Sequence, residues 1–185
     1  MVDRDAAARA IEAFLVAIGR DPGRERELVG TGARVTAAFI DELLDGYGVD
    51  VDALLSSNVL TGTTNLVVVR DLSVTTVCPH HLMPASGTAT VAFSPGASLV
   101  GVGTIGRLVD AFAHRLALQE QIGEQVVAAL RLHLAPKWAL CRLALSHACM
   151  TARGDRKHGA RVETVAFAGE GTLVEVAHTI LGVGQ

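Results

Sequence analysis

Two short clusters of sulfur and nitrogen donors stand out in this sequence of 185 residues. The first is Cys78-Pro79-His80-His81, which follows the β-branched run NLVVVRDLSVTTV. Pro79 cannot donate to a strand ladder and biases the residue before it away from helix, so the chain turns there. A turn can fold Cys78 and His81 toward one point, the geometry of a C-x-x-H chelate. Taken alone, such a cluster is more often a set of satisfied polar groups at a strand end. The second cluster, His147-Ala148-Cys149, adds weight. If 139–150 is one strand, His147 and Cys149 project from the same face. A further soft donor arriving beside a histidine suits a zinc site with three protein ligands and one open position. Cys141 shares that face but lies roughly 26 Å upstream of Cys149 at ~3.3 Å per residue, and reads as a core thiol.

Other residues are ambiguous by themselves. Gln119-Glu120 interrupts an apolar helical pattern with an amide and a carboxylate. It is either a solvated helix end or an acceptor for two N–H groups of a planar heterocycle. Arg107 and Arg153 read as an exposed helix residue and a turn residue, and either could grip phosphate as a planar fork.

The elements that must position these groups follow from periodicity. Residues 3–19 carry Ile11, Phe14, Leu15 and Ile18 at helical spacing, and 33–45 form a second amphipathic helix with Val35, Phe39, Leu43 and Leu44 inward. Residues 20–32 read as a loop. From about 64 the period becomes that of strands, through NLVVVRDLSVTTV and SGTATVAFS, with a turn at Pro95-Gly96. Ile105, Leu108, Val109, Phe112 and Leu116, then Ile122, Val126, Leu130 and Leu134, return to helical spacing, with a break near Ala117–Gln119. Strands at 139–150 and 161–169 flank a charged turn. The order predicts an α+β chain: an antiparallel four-stranded sheet with two helices on one face, preceded by N-terminal helices. The expected division is a helical region over 1–62 and a catalytic domain over 63–185.

Composition narrows the function. Half of the residues are hydrophobic but only 4% are aromatic, so the core must be aliphatic. Net charge is -3, and only Lys137 and Lys157 of the 16 basic residues are lysines. Without a basic run, nucleic-acid binding is disfavoured. Asp3, Asp5 and Glu12 interrupt the first residues, which read as neither targeting segment nor membrane span. Three cysteines, an odd number, argue against a disulfide framework and for a reducing cytoplasm.

Together the segments TGARVTAAFIDELLDGYGVD, VVVRDLSVTTVCPHHLMP, LVGVGTIGRLVDAFAHRLALQEQI and SHACMTARG resemble the GTP cyclohydrolase I family from about residue 30 to 169. The resemblance implies the tunnelling fold, with Cys78, His81 and Cys149 as ligands of a zinc ion. It further implies His80 and His147 as a proton-moving pair and Glu120 with Gln119 as the guanine-binding element. Arg107, Arg153 and Arg34 match arginines that bind a triphosphate. The implied reaction opens the imidazole ring of GTP at C8, releases formate and yields dihydroneopterin triphosphate, on the way to pterins and tetrahydrofolate. The implied assembly is a cytoplasmic homo-oligomer, a toroidal decamer, with a purine nucleotide as substrate and neither nucleic acid nor membrane as partner.

The departures from the family pattern are grouped. Gly103-Thr104 stands where the family has Ser-Lys, Ala37 where it has a lysine, and Pro79 where it has Glu. A Ser/Thr-rich strand after the catalytic loop is replaced by Ala160-Arg161-Val162-Glu163-Thr164. Three readings remain at this point: a GTP cyclohydrolase with a rearranged phosphate site, the same ring opening on a guanine derivative with fewer phosphates, and a catalytically silent zinc- or pterin-binding relative. Retention of both His80 and His147 weighs against the last, because a purely structural zinc needs neither.

Overall fold

The structure, a computed structural model, describes residues 2–62, 65–154, 156–173 and 176. The chain divides into two compact units, Met1–Asp45 and Gly46–Gln185. In the first, helix α1 (Arg4–Ala17) starts at Asp3, whose carboxylate accepts from the Ala6 N–H at 2.8 Å. Helix α2 (Thr31–Ala37) follows and runs into a π-helical stretch, Ala38–Leu43, so the expected single helix over 33–45 is split. The expected inward residues Val35, Phe39, Leu43 and Leu44 are half-buried. Arg4 pairs with Asp41, tying the start of α1 to that stretch.

The second unit opens with two elements that periodicity did not reveal. Helix α3 (Val51–Ser56) is capped by Asp50, which accepts from the Ala53 N–H at 2.9 Å. Strand β1 (Val59–Thr61) pairs antiparallel with β4 (Ser98–Val100) as a separate two-stranded sheet. Both strands are three residues long, too short for period-two patterning to show.

The main sheet holds β2 (Val67–Val77), β3 (Pro84–Ser94), β5 (Trp138–His147) and β6 (Val162–Gly169) in the order β2-β3-β5-β6, all antiparallel. Helices α4 (Val102–Ala113) and α5 (Gln119–Leu134) follow β4 and cover one face. This is the expected α+β architecture. The break between the helices falls where the pattern placed it, and Leu116 in the connection bridges Val77 at the end of β2.

Alternation decides what lies beneath the helices. Cys141, Leu143 and Leu145 of β5 and Ala89, Val91 and Phe93 of β3 point into a core with Ile105, Leu108 and Val109 of α4 and Ile122, Val126 and Leu130 of α5. Apart from Phe93 and Phe112, that core is aliphatic and sulfur-bearing, as the composition required. His147 continues the same face of β5, one step past Leu145, so it emerges at the edge of the core beside the first turn of α5. No helix among the described residues is long and apolar enough to cross a membrane.

Gly87, between Val74 of β2 and Leu145 of β5, marks a close approach of strands: a Cβ there would lie 2.0 Å from the Ala144 carbonyl oxygen. Gly103 in α4 has nothing within 4 Å of its would-be Cβ. Gly87→Ala should therefore destabilise the protein by about 1–3 kcal/mol. Gly103→Ala should be neutral or stabilising by no more than about 1 kcal/mol. Denaturant midpoints of the two variants, measured side by side, check the contrast.

Candidate active site and metal centre

The site forms where the carboxyl ends of β2 and β5 meet the amino end of α5. After Val77 the chain makes a tight turn in which the Leu82 N–H donates to the Cys78 carbonyl at 2.9 Å and the Cys78 N–H to the Met83 carbonyl at 3.0 Å. Leu82 adopts a left-handed φ of 51° to close it. The turn rolls the two ends of the C-x-x-H motif together, with Cys78 Sγ 4.0 Å from His81 Nδ1. Across from them, β5 ends at His147 and the chain enters a single helical turn, α6 (Ala148–Thr151), that carries Cys149. The expectation that His147 and Cys149 share a strand face is thus corrected. The helical turn, not strand alternation, swings the Cys149 thiol toward Cys78 and His81.

Ligand atoms of Cys78, His81 and Cys149 lie within 4.8 Å of one another. A tetrahedral zinc with bonds of about 2.0–2.3 Å separates its ligand atoms by roughly 3.5–3.8 Å, so the three donors need close only slightly. Two thiols and an imidazole form a donor set that suits zinc. Burial and the neighbouring Cys78 thiol push the Cys149 thiol above its ordinary range, while the Arg153 guanidinium pulls it the other way. A divalent cation bound beside Cys149 would remove that resistance to ionisation. The residues present therefore fit the metal. Cys141, expected to be a core thiol, is fully buried, and burial pushes its pKa up to about 12.

A cavity of about 220 Å³ opens beside the donors, lined by Thr76, Cys78, His80, His81, Gln119, Glu120, His147 and Cys149 among others. Most of the expected site residues are thus brought to one place. Glu120 sits in the first turn of α5, where the helix dipole favours its carboxylate. Burial lowers the His147 pKa, and the Glu120 charge partly offsets this. Gln119, expected beside Glu120 as a purine contact, is only 3% exposed. Its side chain is taken up by β5, β6 and His147. Thr76 was not anticipated. It shares the face of β2 that leads to Cys78, and its buried hydroxyl has no hydrogen-bond partner among the described residues. Counting alternate positions back from Cys78 would have found it.

The arginines are less assembled. Among the described residues, neither Arg107 nor Arg153 lines the cavity. Arg107 is exposed on α4 and donates to Thr104 Oγ1 at 3.4 Å, and Arg153 is exposed just past α6. Arg34 belongs to the first unit, where it donates to the Val29 carbonyl at 2.8 Å and to Thr31 Oγ1 at 2.9 Å.

A two-helix, four-strand antiparallel layer with a Cys/His cluster at the sheet end defines a tunnelling-fold protein with a candidate metal-dependent site. An archaeosine synthase, QueF-Like, in its apo form shares the fold at a TM-score of 0.50 and 18% identity, covering 60% of this chain and all of that one. The profile of GTP cyclohydrolase I matches residues 7–177. Among proteins named GTP cyclohydrolase 1, that of Bartonella henselae is 37% identical over 170 residues, 91% of this chain and 82% of the relative. That of Leptospira biflexa is 38% identical over 160 residues, 86% of each chain. The chain belongs to the GTP cyclohydrolase I family and is a hydrolase of that type.

The geometry makes the metal testable. Zinc should bind at about one ion per chain and, because cysteines ligate as thiolates, should release about two protons on binding. Cys149→Ala should abolish uptake, and Cys141→Ala should retain it. Calorimetry in buffers of different ionisation enthalpy, together with metal analysis, measures both. Full zinc occupancy in Cys149→Ala would sink the assignment.

Proposed function

We propose that this chain opens the imidazole ring of GTP at C8 and releases formate, on the route to dihydroneopterin triphosphate. The observation that carries the reading is the placement of His80, His147 and Glu120 around one cavity with the Cys78, His81 and Cys149 donors, in a chain of this family. A site that only held a structural metal would have no use for two further histidines and a carboxylate beside it.

Zinc held by Cys78, His81 and Cys149 would supply Lewis acidity and lower the pKa of a bound water toward about 7. The protein's own groups do the rest. Glu120 accepts from the two N–H groups on the pyrimidine edge of guanine, which fixes the purine with C8 toward the donors. Addition of water across N7=C8 and cleavage of the C8–N9 bond turn the water oxygen into the formamide carbonyl, so both water protons must move, one to N7 and one to N9. His80 and His147 both line the cavity, which supports their reading as the groups that carry these protons. A second water then hydrolyses the formamide left on N7, and formate departs. Arg107, Arg153 and Arg34 are assigned to the triphosphate.

One observation favours a second reading, the same ring opening on a guanine derivative with fewer phosphates. Thr104 is buried and bonded to Arg107, and Gly103 faces open space, so neither supplies a cation where the family pattern has Ser-Lys. We take the working form to be a cytoplasmic homo-oligomer, a decamer by family resemblance, which sedimentation of the zinc-loaded protein tests.

Formate release from GTP, GDP, GMP and guanosine separates the readings. GTP should be used, and a kcat/KM for GTP within about tenfold of that for GMP would transfer the assignment to the less phosphorylated substrate. His80→Ala should retain zinc and lose roughly 10²–10⁴ in kcat. Glu120→Gln leaves a donor facing a ligand N–H and should cost GTP about 2 kcal/mol, near 30-fold in kcat/KM. Unchanged kinetics in Glu120→Gln would make that residue an ordinary helix-surface carboxylate.

A further inference from the structure

The Gln119 side chain sits in an arrangement that admits one orientation. Its amide nitrogen lies 3.2 Å from the Leu143 carbonyl oxygen, 2.9 Å from the Val162 carbonyl oxygen and 3.1 Å from Thr164 Oγ1. Two of these three neighbours can only accept. Turning the amide over would set its oxygen against both carbonyl oxygens in a buried place. The amide oxygen is therefore the atom that faces His147, at 2.8 Å from Nε2. That oxygen cannot donate, and two lone pairs would not be held at this distance, so Nε2 carries the hydrogen. In the neutral ring the lone pair then belongs to Nδ1.

We propose that Gln119 is a positioning residue that holds the Nε2–H of His147, so that in the neutral ring Nδ1 is the nitrogen left for chemistry. The inference rests on the reading of His147 as a proton carrier. The anchors are backbone carbonyls of β5 and the start of β6, so the tautomer is set by the sheet and not by a mobile side chain.

The test uses zinc-loaded protein with ¹⁵N-labelled histidine, the His147 signals being assigned by their loss in His147→Asn. Two-bond ¹H–¹⁵N correlations should show a protonated Nε2 and an unprotonated Nδ1 in the wild type. Gln119→Met keeps the length and removes the amide; it should mix the tautomers and lower kcat for formate release by roughly 10–100-fold, with a much smaller change in KM. Gln119→Glu keeps an acceptor for Nε2 and, protonated on the oxygen that meets the Leu143 and Val162 carbonyls, should recover the Nε2–H form with more activity than the Met variant. A wild-type Nδ1–H tautomer overturns the proposal. So does a Gln119→Met protein that keeps the Nε2–H form yet loses activity, because Gln119 would then only tie α5 to the sheet. If the Met variant does not fold, the wild-type and Gln119→Glu spectra decide. If no guanine nucleotide yields formate, the GTP reading fails separately while the spectrum still judges Gln119.

Discussion

The antiparallel register of the four-stranded sheet is the constraint on which the site depends. Val77 pairs with Pro84, and Ala85 pairs with His147, so the turn after β2 and the end of β5 are brought to one edge although about 70 residues separate them in sequence. A slip of one residue in either ladder would send Cys78 or His147 to the opposite face. Gly87 matters here for a physical reason: it sits between Val74 and Leu145, and its missing side chain lets β5 approach closely enough to hold the register near the site. The metal donors are thus placed by main-chain hydrogen bonds, and their own side chains need contribute little to bringing them together.

The helices finish what the ladder begins. Ile122, Val126 and Leu130 bury against Cys141, Leu143 and Leu145, which fixes α5 in height above β5. With the helix seated, its first turn arrives over the end of the strand, and residues 119 and 120 diverge. Gln119 turns inward to β5 and β6, while Glu120 remains exposed toward the cavity. One helix start therefore supplies an inner residue that ties α5 to the sheet and an outer one that faces the cavity. The aliphatic core suits this task, because branched chains in few rotamers pack without polar atoms that would need partners of their own.

Much of this was legible in the sequence, and the failures have identifiable causes. Strand and helix periodicity located β2, β3, β5, β6, α4 and α5 because each is long enough to show its repeat. Elements of three to six residues, β1, β4 and α3, carry no repeat and were missed or left as an apolar run. The four-residue α6 was absorbed into the preceding strand because Ala-Cys-Met-Thr is equally at home in either. The donor set survived that error, since a helical turn and a strand both bring Cys149 back toward the edge. Gln119 was read through its neighbour. A buried amide with four partners leaves no mark on a sequence, because its partners are backbone carbonyls and residues 24 to 45 positions away.

Electrostatics sets the remaining problem. Two thiolates balance a divalent cation, so a metal centre of this kind adds no net charge with which to hold a polyphosphate. Glu120 contributes a further negative charge at the cavity. In the proposed reaction, attraction for a triphosphate must come from outside the cavity lining, from exposed groups such as Arg107, Arg153, Arg156 and Arg161. Exposed charges act through water and salt, and each adds little until something excludes solvent around it. In that reading the purine and phosphate ends of the ligand are held by different physics: the first by a rigid site built on the sheet, the second by arginine side chains whose grip is gained only as they lose water.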